Sequence, residues 1–147
     1  NHNQYLLTHS GGFIGTMTTY DSYPKDNVFI AVLSNNESES HIISYGLAGI
    51  IFGKQVDLPY YHKEVVIDKD SFKKFAGKYG NLEIINSENK LFLNNTENEL
   101  VAESATKFFN KKNNDRTVEF ITNKKGIIKY LLYSKGGVKE KKDKNKI

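Results

Sequence analysis

The sequence predicts an α+β fold: antiparallel strands with one packed helix, then a small antiparallel β-meander or partial barrel. Three observations predict it. A strand-forming run over 5–20 is followed, across a turn, by the continuous apolar run 28–33. Ile43, Leu47, Ile50 and Ile51 then fall on one stripe at helical spacing. From Lys78 onward, short alternating runs are separated by polar turns at roughly 8–12 residue intervals, the pattern of a meander.

Residues 5–20 are rich in Thr, Tyr, Phe and Ile and read as one long strand. Tyr23-Pro24-Lys25-Asp26-Asn27 is a turn, because proline and the Asp-Asn pair punctuate it. Val28-Phe29-Ile30-Ala31-Val32-Leu33 fits a strand buried on both faces. The two strands make an antiparallel hairpin. A helix is expected over 40–52, with Ser38 or Ser40 as cap and Glu37 and Glu39 near its positive end. Gly46 and Gly49 suit a helix packed closely on a sheet, and Gly53 ends it.

Residues 54–65 read as a linker, with Pro59 marking the boundary and His62 solvated. A short helix follows at 69–76, capped by Asp68 or Asp70, with Phe72 and Phe75 turned inward. The meander then runs through Leu82/Ile84, Leu91/Leu93, Leu100/Ala102, Phe108, Val118/Phe120 and Ile128/Tyr130/Leu132. Curling it into a partial barrel hides its edge strands. The expected division is 1–58, 59–138, and a basic disordered tail over 139–147 holding Lys139, Lys141, Lys142, Lys144 and Lys146.

The net charge of +4 lies largely in that tail, which lacks interleaved aromatics, so no nucleic-acid partner is expected. With no cysteine, disulfides and cysteine-zinc sites are excluded. His2, His9, His41 and His62 have no metal-ligand spacing, so neither metal nor cofactor is expected. No apolar run approaches the ~18 residues of a membrane span. The first residue is Asn1, not Met, which suggests a processed chain or an excised piece; any targeting segment of a longer parent would not be visible.

The candidate site is His9-Ser10-Gly11-Gly12 within the first strand. A basic residue, a hydroxyl and two positions without side chains can set backbone N–H groups and a polar group against a substrate carbonyl. The motif brings no nucleophile. Ser-x-x-Lys strings occur at Ser22/Lys25, Ser71/Lys74, Ser87/Lys90 and Ser104/Lys107, all after His9 and in turns, hairpins or a short helix. Tyr79-Gly80-Asn81 likewise lies after His9.

His9-Ser10-Gly11-Gly12, then Gly15, the strand ending Val32-Leu33-Ser34-Asn35-Asn36 and the helix ending Ile51-Phe52-Gly53 resemble the C-terminal part of serine β-lactamase-like proteins. These are class C β-lactamase, penicillin-binding protein and esterase-like hydrolases. Phe72-Lys73-Lys74-Phe75-Ala76-Gly77-Lys78-Tyr79 and Leu100-Val101-Ala102-Glu103-Ser104-Ala105-Thr106-Lys107-Phe108-Phe109 resemble parts of a small β-rich domain appended to such proteins. The resemblance implies acyl transfer by a serine nucleophile, with Lys or Tyr handling the proton and backbone N–H groups holding the oxyanion. His9 takes the place of the Lys in the family's Lys-Thr/Ser-Gly motif, where His is a common variant. Ser10 would hydrogen-bond the substrate, Gly11 would let the strand approach it, and Gly12 N–H would be one oxyanion donor. Histidine, unlike lysine, changes charge within the physiological pH range, which weakens recognition of a penicillin-like carboxylate.

The implied partners are the missing N-terminal part of the parent's catalytic domain and an acyl substrate: peptide, lactam or ester. The parent would be extracytoplasmic or membrane-associated in a bacterium, and this chain alone inactive. Open apolar faces on the first unit predict a homodimer through helix 40–52, or docking of that region on the 62–135 sheet. The alternative function is a noncatalytic β-barrel module that binds a small ligand or polymer in a pocket lined by Leu91, Leu93, Phe120 and Leu132. A purely structural role for the barrel is the third reading.

Overall fold

A computed structural model describes residues 2–145. The chain forms two compact units, residues 1–57 with 136–138, and residues 58–135 with 139–147. The architecture is α+β, with antiparallel strands throughout and one α-helix.

The first unit is a three-stranded sheet in the order β1 (Leu7–Phe13), β2 (Thr16–Tyr23), β3 (Val28–Ser34), covered by α1 (Ser40–Ile51). The single strand expected over 5–20 is thus a hairpin. Phe13 pairs with Thr16, leaving Ile14 and Gly15 as the turn. Gly15 has φ +78°, the left-handed value that a two-residue turn demands. Strand-forming residues flank this turn on both sides, so composition alone did not expose it.

Helix α1 meets the sheet through small residues. Ser40, Ser44 and Ala48 recur at i, i+4 and i+8 and are buried. Thr19 and Ser40 share a hydrogen bond of 2.8 Å, and the Ser44 hydroxyl donates to Asp21 Oδ2 at 2.5 Å. These contacts fix the helix register on β2, since each buried polar group finds its partner at one setting only. The apolar stripe of Ile43, Leu47, Ile50 and Ile51 stays exposed. Glu39 occupies the N-cap position without a side-chain cap bond, so neither Ser38 nor Ser40 caps the helix. Beneath α1, Tyr23, Ile30, Val32 and Ala48 form the core of this unit.

The second unit is an eight-stranded antiparallel sheet, curled and nearly closed. Its strands follow chain order: β4 (Gly77–Tyr79), β5 (Leu82–Ser87), β6 (Lys90–Leu93), β7 (Glu99–Ala102), β8 (Lys107–Asn110), β9 (Arg116–Thr122), β10 (Ile128–Lys135) and β11 (Val138–Asp143). Closure comes from the far ends: Tyr79 bridges Lys144, Gly80 N–H donates to the Asp143 carbonyl at 3.0 Å, and Asn145 N–H donates to the Lys78 carbonyl at 2.9 Å. The basic tail expected over 139–147 is therefore corrected for its described residues, because most of it is β11 and the closing bridge. Two of its lysines are paired in place, Lys141 with Asp143 at 2.8 Å and Lys142 with Glu140 at 2.9 Å, and Lys141 lies over the Tyr130 ring. Lys146 of that tail lies outside the described residues.

The barrel interior joins a cluster of aromatic rings to aliphatic side chains. A short 3-10 helix (Lys69–Lys74), capped by the Asp68 carboxylate accepting from Asp70 N–H, delivers Phe72 and Phe75 into it. Phe75 sits 4.4 Å from Phe120 and 5.2 Å from Phe108 between ring centroids. Offset and edge-to-face spacings of this kind are attractive beyond simple burial. A register shift between Ile128 and Tyr130 makes a β-bulge in β10. It turns Leu131 into the core opposite Phe120 and leaves Leu132 only half-buried, reversing the alternation expected from sequence.

Tyr79 is buried and its hydroxyl donates to the Phe75 carbonyl at 2.9 Å. Burial pushes its pKa up to about 12 from the usual 10.0. Below pH 10 the phenol is neutral in both the folded and unfolded chain, so it adds no pH dependence. Between pH 10 and about 12 the unfolded chain ionises first, and stability falls. Denaturant midpoints are expected to drop across this window, and Tyr79→Phe to flatten part of the drop. Equal slopes for both proteins would refute the assignment.

Candidate functional site

The sequence-derived site lies on β1, at one edge of the first unit's sheet. Every residue of β1 is exposed. One side of the strand pairs with β2; the other presents a row of N–H and C=O groups without a neighbouring strand. Gly11 and Gly12 add no side chain to that edge. A Cβ at Gly12 would come 2.5 Å from Met17 Sδ and 3.1 Å from the Thr16 carbonyl, so a side chain there would require the Met17 side chain to move and the hairpin to give by a few tenths of an ångström. The Thr18 hydroxyl donates to the Gly11 carbonyl at 3.1 Å and anchors the same stretch.

Residues directly opposite in an antiparallel pair share a face. His9 pairs with Tyr20 and Ser10 with Thr19, whose side chain faces α1. His9 and Ser10 therefore stand on opposite faces of β1. His9 shares its face with Tyr20 and Phe29, whose rings meet edge-on at 4.7 Å. An open depression at the hairpin tip is lined by Gly12, Phe13, Ile14, Met17 and Glu37. Chemically, this arrangement can receive an extended or carbonyl-bearing group along its backbone edge. Among the described residues, no hydrogen bond joins Ser10 to a base.

The Ser-x-x-Lys strings serve local structure. The Ser71 hydroxyl donates to the Asp68 carbonyl at 2.6 Å inside the 3-10 helix, and Lys74 lies over the Phe75 ring. The Ser104 hydroxyl accepts from Thr106 and Lys107 N–H groups in the β7–β8 turn. Ser87 and Lys90 flank the β5–β6 turn, and Lys25 lies in the β2–β3 turn. Tyr79, buried and with its pKa raised, is no proton acceptor.

One cluster in the second unit has no counterpart in the sequence reading. The Tyr60 hydroxyl donates to Glu103 Oε2 at 2.8 Å and accepts from Lys107 Nζ at 2.6 Å. His62 Nδ1 lies 3.4 Å from the same Glu103 oxygen, and its ring stacks on Phe109 at 4.6 Å. The solvated His62 expected from sequence is corrected: its side chain is only 8% exposed. Burial raises the Tyr60 pKa; desolvation opposes the Lys107 charge, but the Tyr60 and Glu103 contacts outweigh it and raise the Lys107 pKa. The phenol thus keeps its proton and the amine its charge, leaving neither as a base. Val65 N–H also donates to the Ala102 carbonyl at 2.9 Å. Together these contacts clasp the extended segment 60–65 onto the β7–β8 hairpin. Tyr60 and His62 lie some forty residues from Glu103 and Lys107 in sequence, so no local spacing announces the cluster.

No group of three or more His, Cys, Asp or Glu side chains suited to a metal occurs among the described residues. No described helix is long and apolar enough to cross a membrane.

No protein-family model matches this chain, and no curated protein matches it. Among solved structures, SurE with D-Leu aligns with a TM-score of 0.43 and SurE with 0.42, each at 16% identity. They cover 94% and 95% of this chain, which spans only 35% and 34% of theirs. At that level of similarity they bear on neither fold nor function.

Proposed function

We propose that this chain is the C-terminal part of a serine β-lactamase-like acyl hydrolase, carrying one wall of the active site and relying on an upstream nucleophile. The observation that supports it most is the bare backbone edge of β1 at His9-Ser10-Gly11-Gly12. In the reaction, a serine Oγ from the upstream part attacks the substrate carbonyl while a neighbouring Lys or Tyr takes its proton. The carbonyl oxygen becomes an oxyanion, and Gly12 N–H donates to it. The leaving group departs with a proton, and water then releases the acyl group from the serine. His9 stands where the family's Lys holds the substrate, and Ser10 donates a further hydrogen bond. The barrel contributes no chemistry in this reading. Its continuous buried apolar core supports a structural role.

The parent's reading frame upstream of Asn1 tests the class. A Ser-x-x-Lys followed by a Tyr-x-Asn is expected there, and a frame lacking both contradicts the proposal. In the parent, His9→Ala is expected to lower kcat/KM about 10-fold or more, the worth of one hydrogen bond to a charged group. An unchanged kcat/KM would remove His9 from the wall.

A further inference from the structure

The first unit has a second open edge, at β3, and its chemistry differs from that of β1. Val28-Phe29-Ile30-Ala31-Val32-Leu33-Ser34 carries no charge, no proline and no bulge, the devices that blunt a solvent-facing edge. Both faces of this edge are apolar: Ile30 and Val32 lie under α1, whereas Phe29 and Leu33 are 59% and 80% exposed on the other face.

Helix α1 continues the same open side. It packs on β2 and β3. Its Tyr45 and Phe52 flank is covered by the His2 ring, at 4.3 and 6.3 Å, from the segment that leads into β1. The opposite flank, Ile43, Leu47 and Ile50, is exposed and looks past the β3 edge.

The edge is self-complementary. With Ala31 on a two-fold axis, antiparallel pairing sets Phe29 against Leu33 and Ile30 against Val32 of a second copy, apolar against apolar on both faces. Strands lie about 4.8 Å apart, so the axis runs about 2.4 Å outside β3. A helix seated between β2 and β3 then lies about 4.8 Å from the axis. The two helices fall about 10 Å apart, at the upper end of the spacing at which helices pack side by side. Strand pairing and helix contact are thus satisfied by one symmetry operation.

We propose that two copies of this chain associate through β3, forming a continuous six-stranded sheet with the two α1 helices packed through Ile43, Leu47 and Ile50. The inference does not use the acyl-transfer reading. Sedimentation equilibrium of the full 147-residue chain tests it, with Ala31→Lys and Ala31→Glu as variants at an exposed position. The wild type is expected at twice the 16.8 kDa chain mass. Each variant, with like charges facing across the axis, is expected to be monomeric with an unchanged circular dichroism spectrum. An equimolar mixture of the two is expected to restore the dimer, because Lys then faces Glu. Leu47→Glu checks the helix contact and is expected to weaken the dimer at least tenfold. A monomeric wild type at about 100 μM would overturn the proposal. So would a dimer that both Ala31 variants leave intact, or variants whose mixture stays monomeric.

Discussion

Leu131→Ala is expected to destabilise the barrel by about 2–5 kcal/mol, and Leu132→Ala by less than about 1 kcal/mol. The two leucines are adjacent, chemically identical and both on β10. What separates them is the bulge between Ile128 and Tyr130. It places Leu131 opposite Phe120, fully buried, whereas Leu132 faces Glu119 and is half-buried. Removing the fully buried Leu131 side chain leaves a cavity in the barrel's core, opposite Phe120. Urea titration followed by tyrosine fluorescence measures both. Equal losses, or a larger loss at Leu132, would mean that the strand keeps strict alternation and the bulge is misplaced.

Gly137→Ala is expected to cost the first unit about 3 kcal/mol or more. Two effects combine. Gly137 has φ +81°, and an alanine there carries left-handed strain of about 1 kcal/mol. A Cβ would also lie 2.2 Å from the Asp57 carbonyl oxygen and 3.0 Å from Val56 Cγ1. The first obstacle is backbone and is itself held, because Asp57 N–H donates to the Gly137 carbonyl at 2.9 Å and Val56 bridges Val138. The clash is relieved only by breaking that pairing. Gly126→Ala is the control: φ is +75°, with nothing within 4 Å of the added Cβ. It is expected to lose only the strain term. Thermal unfolding of the two variants separates clash from strain, and equal shifts in Tm would refute the close approach.

The sequence made the larger plan legible because period, punctuation and composition change where the structure changes. Pro24 and Asn27 flag the β2–β3 turn, Asn27 with φ +54°. Phe72 and Phe75 on either side of two lysines point to an inward-turned helical turn. Three features escaped for stated reasons. The β1–β2 turn consists of Ile14 and Gly15, and Gly15 is one of three glycines within five residues of a strand-forming run, so it does not mark the turn. The helix–sheet contact is made by Ser40, Ser44 and Ala48, whose small size permits close approach but gives no hydrophobic stripe. The C-terminal lysines look like a solvated tail, yet they follow the buried Val138 in a strand in which Lys141 and Lys142 pair with neighbouring acids.

At the candidate site, the residue types and their order were readable, and so was the two-residue period that sends His9 and Ser10 to opposite faces. The exposure of the whole strand was not, because it depends on which strands stand beside β1. The Tyr60–His62–Glu103–Lys107 clasp left no spacing pattern, since β7 and β8 bring together residues some forty positions apart.

Intact-mass spectrometry after incubation with a fluorescent penicillin and with an activated ester tests the central claim most directly. The 147-residue chain is expected to stay unmodified by both probes. Its parent is expected to gain one acyl group on a serine upstream of Asn1. An adduct on the chain itself, or a parent that neither probe modifies, would contradict the assignment of β1 as one wall of an acyl-transfer site.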